Sequence, residues 1–208
     1  VVKEEYFTAT GRCAVKTQTG LILALKYHLS ENEELTKQMM KKVLRDNKNK
    51  LNTGFVGTPL LCNVLTDHGM TDAAYRLLLN EEYPGWLHEV KLGATTVWER
   101  WNSLDENGHV SSTGMNSLNH YSYGAVLEWI FRHVAGIDVT EQGPGGKMMR
   151  ISPKVDHKLG SASAVYDSAS GCYRCGWQIE NGDQITVTVT VPFGAKAQVI
   201  LPYAPDSV

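Results

Sequence analysis

The apolar residues of this 208-residue chain repeat with two different periods, and the change falls near Gly136. A helix buries one face when apolar positions recur about every 3.6 residues and a strand when they recur every 2, so one element type throughout is excluded. The chain reads as α+β, with a helical region followed by a small β-region. Leu21, Leu25 and Leu29 form a stripe at helical spacing. Ser30-Glu31-Asn32-Glu33 has the form of a capping box and predicts a second helix with Leu35, Met39 and Val43 inward. Thr58-Pro59 is a cap followed by a first-turn proline, with Leu60, Leu61, Val64 and Leu65 behind it and Gly69 as the stop. Thr71 caps a further run with Ala74, Leu77 and Leu78 inward. Segment 117–135 is apolar on most sides through Tyr121, Ala125, Leu127, Trp129, Ile130, Phe131 and Val134, which predicts a helix buried on several faces.

Beyond Gly136 comes a turn-rich boundary, Gln142-Gly143-Pro144-Gly145-Gly146, and then the period is two. Segments 161–166, 172–180, 185–191 and 197–201 predict four short strands in a small antiparallel sheet or sandwich. Asn181-Gly182 predicts a hairpin between the middle two, because both residues tolerate the positive φ such turns need. The alternation of Thr and Val over 186–191 predicts one wet and one buried face.

Composition narrows the possible partners. A net charge of -2 without any Lys/Arg block argues against a nucleic-acid partner, which needs a concentrated basic face. No apolar run approaches the roughly 18 residues that span a bilayer, so no membrane partner is expected. The start Val1-Val2-Lys3-Glu4-Glu5 is neither a signal peptide nor an initiator Met, so the chain reads as excised from something longer and its compartment is not legible. Of Cys13, Cys62, Cys172 and Cys175 only the last two are close, and a zinc site would need a second ligand pair at similar spacing. Unpaired thiols are the default expectation, a redox pair the alternative; no metal or cofactor is implied.

The segment that carries chemistry lies between the helices. It contains Tyr83-Pro84-Gly85-Trp86, then 93–101 with Trp98-Glu99-Arg100-Trp101, then a polar connection to Asn116, and three of the five tryptophans fall within 16 positions. Aromatic faces beside carboxylates and amides suit a sugar, whose C–H faces stack on rings while its hydroxyls take polar partners. The connection 102–116 is long where links have a median of about 4–6 residues, and such loops are often functional. The same residues are also readable as core rings, Trp98 and Trp101, around a Glu99–Arg100 surface pair, and His120 as a satisfied core histidine.

Taken in order, Thr53-Gly54-Phe55-Val56-Gly57-Thr58-Pro59, Tyr75-Arg76-Leu77-Leu78, Tyr83-Pro84-Gly85-Trp86, the 93–101 segment and Gly114-Met115-Asn116-Ser117-Leu118-Asn119-His120-Tyr121 resemble the bacterial α-L-rhamnosidases. The resemblance covers about residues 12–137, and the trailing region is similar to that family's C-terminal domain. It implies that 1–137 is the C-terminal portion of an (α/α)6 catalytic barrel made of helical hairpins, and 138–208 a β-domain. It further implies Glu99 as the general base of an inverting glycosidase, with Trp86, Trp98 and Trp101 as stacking or pocket-wall rings. Arg100, Asn119 and His120 would be substrate-binding, on a rhamnose-containing glycan or glycoside. The family's general acid lies N-terminal to this segment, so the chain alone is expected to be inactive. Exposed barrel faces would favour homo-oligomers. Two other readings stay open: a non-catalytic carbohydrate-binding or structural module, and another (α/α)6 sugar hydrolase such as an unsaturated glucuronyl hydrolase.

Overall fold

The computed structural model describes residues 1–203 except Thr113 and Asp183, and the chain divides into two compact units, 1–126 and 127–208. The first holds α1 (Val2–Tyr6), α2 (Gln18–Lys26), α3 (Glu33–Asp46), α4 (Thr58–Asp67), α5 (Thr71–Leu78) and α6 (Trp86–Lys91). Helices α2 and α3 pack together, as do α4 and α5, and α2 also packs on α4, so the unit is built from helical hairpins.

Local chemistry explains the bounds. The Thr17 side chain accepts the Gly20 amide at the start of α2, whose Leu21, Ile22, Ala24 and Leu25 are buried. The helix ends at Lys26, so Leu29 lies outside it. The expected capping box does not form. Asn32 is the cap of α3, its Oδ1 accepting the Leu35 amide at 3.0 Å, while the Ser30 hydroxyl donates to the Gly11 carbonyl at 2.9 Å. The helix therefore starts at Glu33, and its buried stripe is Thr36, Met40 and Leu44, one position on from Leu35, Met39 and Val43. Thr58 and Thr71 likewise open α4 and α5 as first residues, with Gly57 and Met70 as caps. The Thr58 hydroxyl is buried against that of Thr53 at 2.7 Å. Of the α5 residues read as inward, Ala74 and Leu77 are fully buried and Leu78 half-buried.

Buried Gln18 ties the hairpins to the segment that reaches the site. Its Nε2 donates to the Lys50 carbonyl and its Oε1 accepts the Asn52 amide, both at 2.8 Å. Thr53 then packs under Gly57, where an added Cβ would meet Thr19 Oγ1 at 2.5 Å and the Thr53 Cγ2 at 3.0 Å. A larger residue at 57 would have to displace the side chains of Thr19 on α2 and Thr53.

Segment 117–135 is not one regular helix. A 3₁₀ turn, Ser122–Ala125, leads into α7 (Val126–Trp129) and a π turn, Ile130–Val134. Because the number of residues per turn changes along it, no single period aligns its apolar residues. Trp129 and Val134 are buried, whereas Tyr121, Leu127 and Phe131 are exposed, contrary to the expected all-round burial.

The second unit contains β1 (Ile137–Val139), β2 (Met148–Ile151), β3 (Ser161–Ser168), β4 (Gly171–Glu180), β5 (Gln184–Thr190) and β6 (Lys196–Val199). Strands β3-β4-β5 form an antiparallel meander, and β1-β2-β6 a second sheet in which β2 and β6 run parallel. Two strands thus escaped the reading of the periodicity, and the last predicted strand joins the other sheet. The Gln142–Gly146 turn lies between β1 and β2. Ile137, Met149 and Ile151 of one sheet meet Tyr173 and Cys175 of the other in a common core. The Tyr173 hydroxyl donates to the Gly146 carbonyl at 2.7 Å, with the Lys196 carbonyl at 3.1 Å. At the β4–β5 turn Asn181 and Gly182 both have positive φ, as the hairpin reading requires. Cys172 and Cys175 sit three residues apart on β4, so their side chains point to opposite faces and cannot pair. Cys175 is buried and its thiol pushed up to about 11 by that burial.

Candidate functional site

The residues singled out by sequence converge within the helical unit. Segments 96–101 and 115–121 lie side by side: the His120 amide donates to the Val97 carbonyl at 2.8 Å and the Glu99 amide to the Ser117 carbonyl at 2.9 Å. The Arg100 amide donates to Ser103 Oγ at 3.1 Å, and that hydroxyl donates to Asn116 Oδ1 at 2.6 Å. Asn116 returns its Nδ2 to the Ser103 carbonyl at 3.0 Å. The polar connection 102–116 is thus folded on itself, with Asp105 accepting the His109 and Asn107 amides at its tip. These backbone donors, led by that of His109, hold the Asp105 carboxyl below its usual range.

Trp86 and Trp101 form a wall with their indole N–H groups turned inward. Trp101 stacks on Tyr123 at 4.0 Å and 7°, and Trp86 meets Trp101 edge-on at 5.3 Å. Trp86 Nε1 donates to the Tyr123 carbonyl at 2.9 Å and Trp101 Nε1 to the Thr53 carbonyl at 3.1 Å. Trp98 is 2% exposed and Glu99 9% exposed, so Glu99 is not one half of a solvated surface pair. Outside this wall a second aromatic set is more open: His120 is stacked between Phe55, at 4.8 Å, and Tyr121, at 5.2 Å. His120 Nδ1 accepts the Ser122 amide at 3.3 Å, which places the ring hydrogen of the neutral imidazole on Nε2. Asn119 is exposed and Arg100 half-buried.

A further carboxyl lies behind this segment. Glu89 on α6 is 3% exposed, and burial pushes its carboxyl up to about 8, the opposing influence being the Trp98 backbone N–H that it accepts. Its Oε1 is shut off from solvent and has no hydrogen-bond partner. Tyr123 nearby is also raised, by burial first and the Glu89 charge second.

Residues 1–134 match the bacterial α-L-rhamnosidase 6 hairpin glycosidase domain, and residues 136–208 the bacterial α-L-rhamnosidase C-terminal domain. The chain belongs to the bacterial α-L-rhamnosidases. Among curated relatives, the α-L-rhamnosidase of Alteromonas sp. (strain LOR) is 41% identical over 189 residues, which is 90% of this chain and 20% of that protein. That of Formosa agariphila is 40% identical over 188 residues, 89% of this chain and 20% of that protein. The structure of the Streptomyces avermitilis α-L-rhamnosidase complexed with L-rhamnose superposes with a TM-score of 0.89 at 34% identity, over 96% of this chain and 19% of that one. The Aspergillus terreus α-L-rhamnosidase superposes with a TM-score of 0.91 at 32% identity, over 96% of this chain and 23% of that one. The chain spans about a fifth of the length of these relatives.

In this rhamnosidase segment Trp86, Trp98, Glu99 and Trp101 are buried and Arg100 half-buried, Trp86 touches Trp101, and Asn119 and His120 lie on the neighbouring strand of backbone. Sequence reasoning passed over Glu89 and Tyr123. Trp86 and Glu89, three apart on one helix, share a face, and that spacing was the available signal. Asn116, quoted only as part of a motif, turns out to clamp the long connection shut.

Proposed function

We propose that these residues are part of a longer α-L-rhamnosidase that hydrolyses terminal α-L-rhamnosyl residues with inversion, Glu99 serving as general base. The observation that carries this reading is a carboxylate, 9% exposed, between Trp98 and Trp101 on a backbone hydrogen-bonded to the 117–120 segment. An inverting glycosidase uses one carboxylic acid to protonate the leaving oxygen and one carboxylate, about 6.5–9.5 Å away, to deprotonate water on the opposite face. A base must sit within hydrogen-bond reach of that water, and a pinned backbone keeps it there. Glu99 fills that role, and the general acid comes from outside these 208 residues. Trp86, Trp98 and Trp101 form the pocket wall, while Arg100, Asn119 and His120 bind the sugar hydroxyls. Residues 1–137 belong to the catalytic barrel and 138–208 to the β-domain.

The test is product stereochemistry. The full-length protein, given an aryl α-L-rhamnoside, is expected to release β-L-rhamnose first, seen by following the anomeric proton by NMR within the first turnovers. Release of the α anomer first would replace inversion by retention, and binding without any release would leave a carbohydrate-binding module.

A second expectation concerns the 208-residue chain by itself. Phe55 at 46%, Val56 at 63% and Tyr121 at 87% exposure are large apolar side chains on the surface of the helical unit, and such patches tend to be covered by association. Light scattering is expected to give a mass above the monomer, and a monomeric mass at high concentration would remove this expectation.

A further inference from the structure

Rings of the helical unit form one unbroken chain of contacts. Trp86 meets Trp101, Trp101 stacks on Tyr123, Tyr123 meets Phe55 at 5.7 Å and a tilt of 57°, and Phe55 stacks on His120. The first three are buried and Phe55 is 46% exposed. Phe55 thus joins His120 to the buried wall.

This contact fixes what the backbone leaves open. The His120 amide is held on the Val97 carbonyl, but a histidine χ2 is broad and roughly two-fold, so the backbone sets neither the plane of the imidazole nor its flip. The Ser122 amide reaches Nδ1 at 3.3 Å, a long hydrogen bond that selects the nitrogen and holds the plane weakly. Phe55 lies 6° from parallel to the imidazole at 4.8 Å, and its face sets the plane. Tyr121 also stacks on the imidazole, but it is 87% exposed and is the next residue in the chain, so the same backbone carries both. Phe55 comes instead from a loop anchored elsewhere. The Thr58 amide donates to the Gly54 carbonyl at 3.0 Å, the Thr53 and Thr58 hydroxyls meet at 2.7 Å, and the Thr53 carbonyl accepts the Trp101 indole.

We propose that Phe55 is a positioning residue that acts through His120, holding the imidazole so that its Nε2–H is aimed at a hydroxyl of the bound sugar. This rests on the reading of His120 as a sugar-binding residue. With Nδ1 accepting from Ser122, Nε2 carries the ring hydrogen. A hydrogen bond weakens steeply as its angle falls below about 120°, so an imidazole free to turn loses the bond even though the residue is present. An aliphatic side chain at 55 fills space but offers no flat face, and a stacked aromatic pair biases a ring's orientation by about 3–10-fold.

Variants of the full-length enzyme test this, with L-rhamnose binding read by calorimetry and turnover read on an aryl α-L-rhamnoside. Phe55→Leu is expected to weaken rhamnose binding and raise KM about 3–10-fold, with kcat within about 3-fold, because Glu99 and its backbone are untouched. Phe55→Met, which also lacks a flat face, gives the same reading should the Leu variant fail to fold. Phe55→Tyr keeps the stack and is expected to bind rhamnose within about 2-fold of the parent. In a His120→Ala background Phe55→Leu is expected to cost less than about 2-fold, as a residue acting through another must. Equal losses in the two backgrounds would overturn the proposal, since Phe55 would then act on the sugar or on the fold by itself. So would a fall in kcat with KM unchanged, the mark of a loop that props the wall around Glu99. A parent-like Phe55→Leu enzyme beside a weakened His120→Ala enzyme would overturn the proposal alone. A His120→Ala enzyme that binds rhamnose as the parent does would remove the sugar reading of His120 as well.

Discussion

Replacing Glu99 with Gln in the full-length enzyme is expected to lower kcat by about 10²–10⁴-fold, the usual contribution of a general base. Glutamine keeps the size and most hydrogen bonds of the side chain but cannot take a proton from water. Glu99 lies at 9% exposure on a backbone tied to Ser117, so the variant should keep the site's shape. KM should stay within several-fold of the parent, because substrate contacts remain and KM approaches a dissociation constant when chemistry is slow. Azide, which attacks without deprotonation, is expected to restore part of the turnover by entering the site of the missing water's attack, again with inversion. A solvated ion pair between Glu99 and Arg100 would forecast the opposite, since such pairs are worth about 0–1 kcal/mol and their loss leaves kcat nearly unchanged. A folded Glu99→Gln enzyme that keeps more than about a tenth of parental kcat, outside the range for a lost base, would take Glu99 out of the mechanism.

The second large effect is a loss of all turnover. The purified 208-residue chain is expected to hydrolyse no aryl α-L-rhamnoside above a Glu99→Ala control. Inversion needs two carboxyl groups across the sugar, and water attack without protonation of the leaving oxygen forfeits the general-acid contribution of about 10²–10⁴-fold. Among the described residues Glu89 is a buried carboxyl that burial pushes up to about 8, in the range suited to an acid, but its Oε1 is closed to solvent. It cannot reach a leaving group from there. The relatives' match to this chain covers only about a fifth of their length, which leaves ample sequence elsewhere for an acid. Measurement with a nitrophenyl rhamnoside, whose leaving group needs least protonation, makes the test severe. Turnover by the chain that depends on Glu99 would show that both carboxyl groups lie within it.

How much of this was legible beforehand differs by element. The hairpin at Asn181-Gly182 was, because positive φ at both residues is a local demand that few side chains meet. So was the wet and half-buried alternation along β5, where threonines face water and Ile185, Val187 and Val189 face inward. The existence of α2 to α5 was legible and the phase of α3 was not: Ser30 and Asn32 are equally good caps by residue type, and only the Gly11 carbonyl that captures Ser30 decides between them. Strands β1 and β2 are three and four residues long, too short for a period, and the parallel pairing of β2 with β6 joins residues almost fifty apart in sequence.

The candidate site divides in the same way. Its order of motifs, with Trp98-Glu99-Arg100-Trp101 at the centre, is a property of the chain alone, since residue type and spacing carry the resemblance to the rhamnosidases. That Trp86 and Trp101 use their indole N–H groups on the Tyr123 and Thr53 carbonyls, and that a helix six residues long buries Glu89, depends on distant segments meeting. A carboxylate's pKa is set by what surrounds it, and the sequence names the carboxylates without naming their surroundings. Sequence thus determined the two element types, the hairpin and the family of the site; tertiary packing alone decided that Glu89 is buried more deeply than Glu99, with one oxygen shut off from solvent.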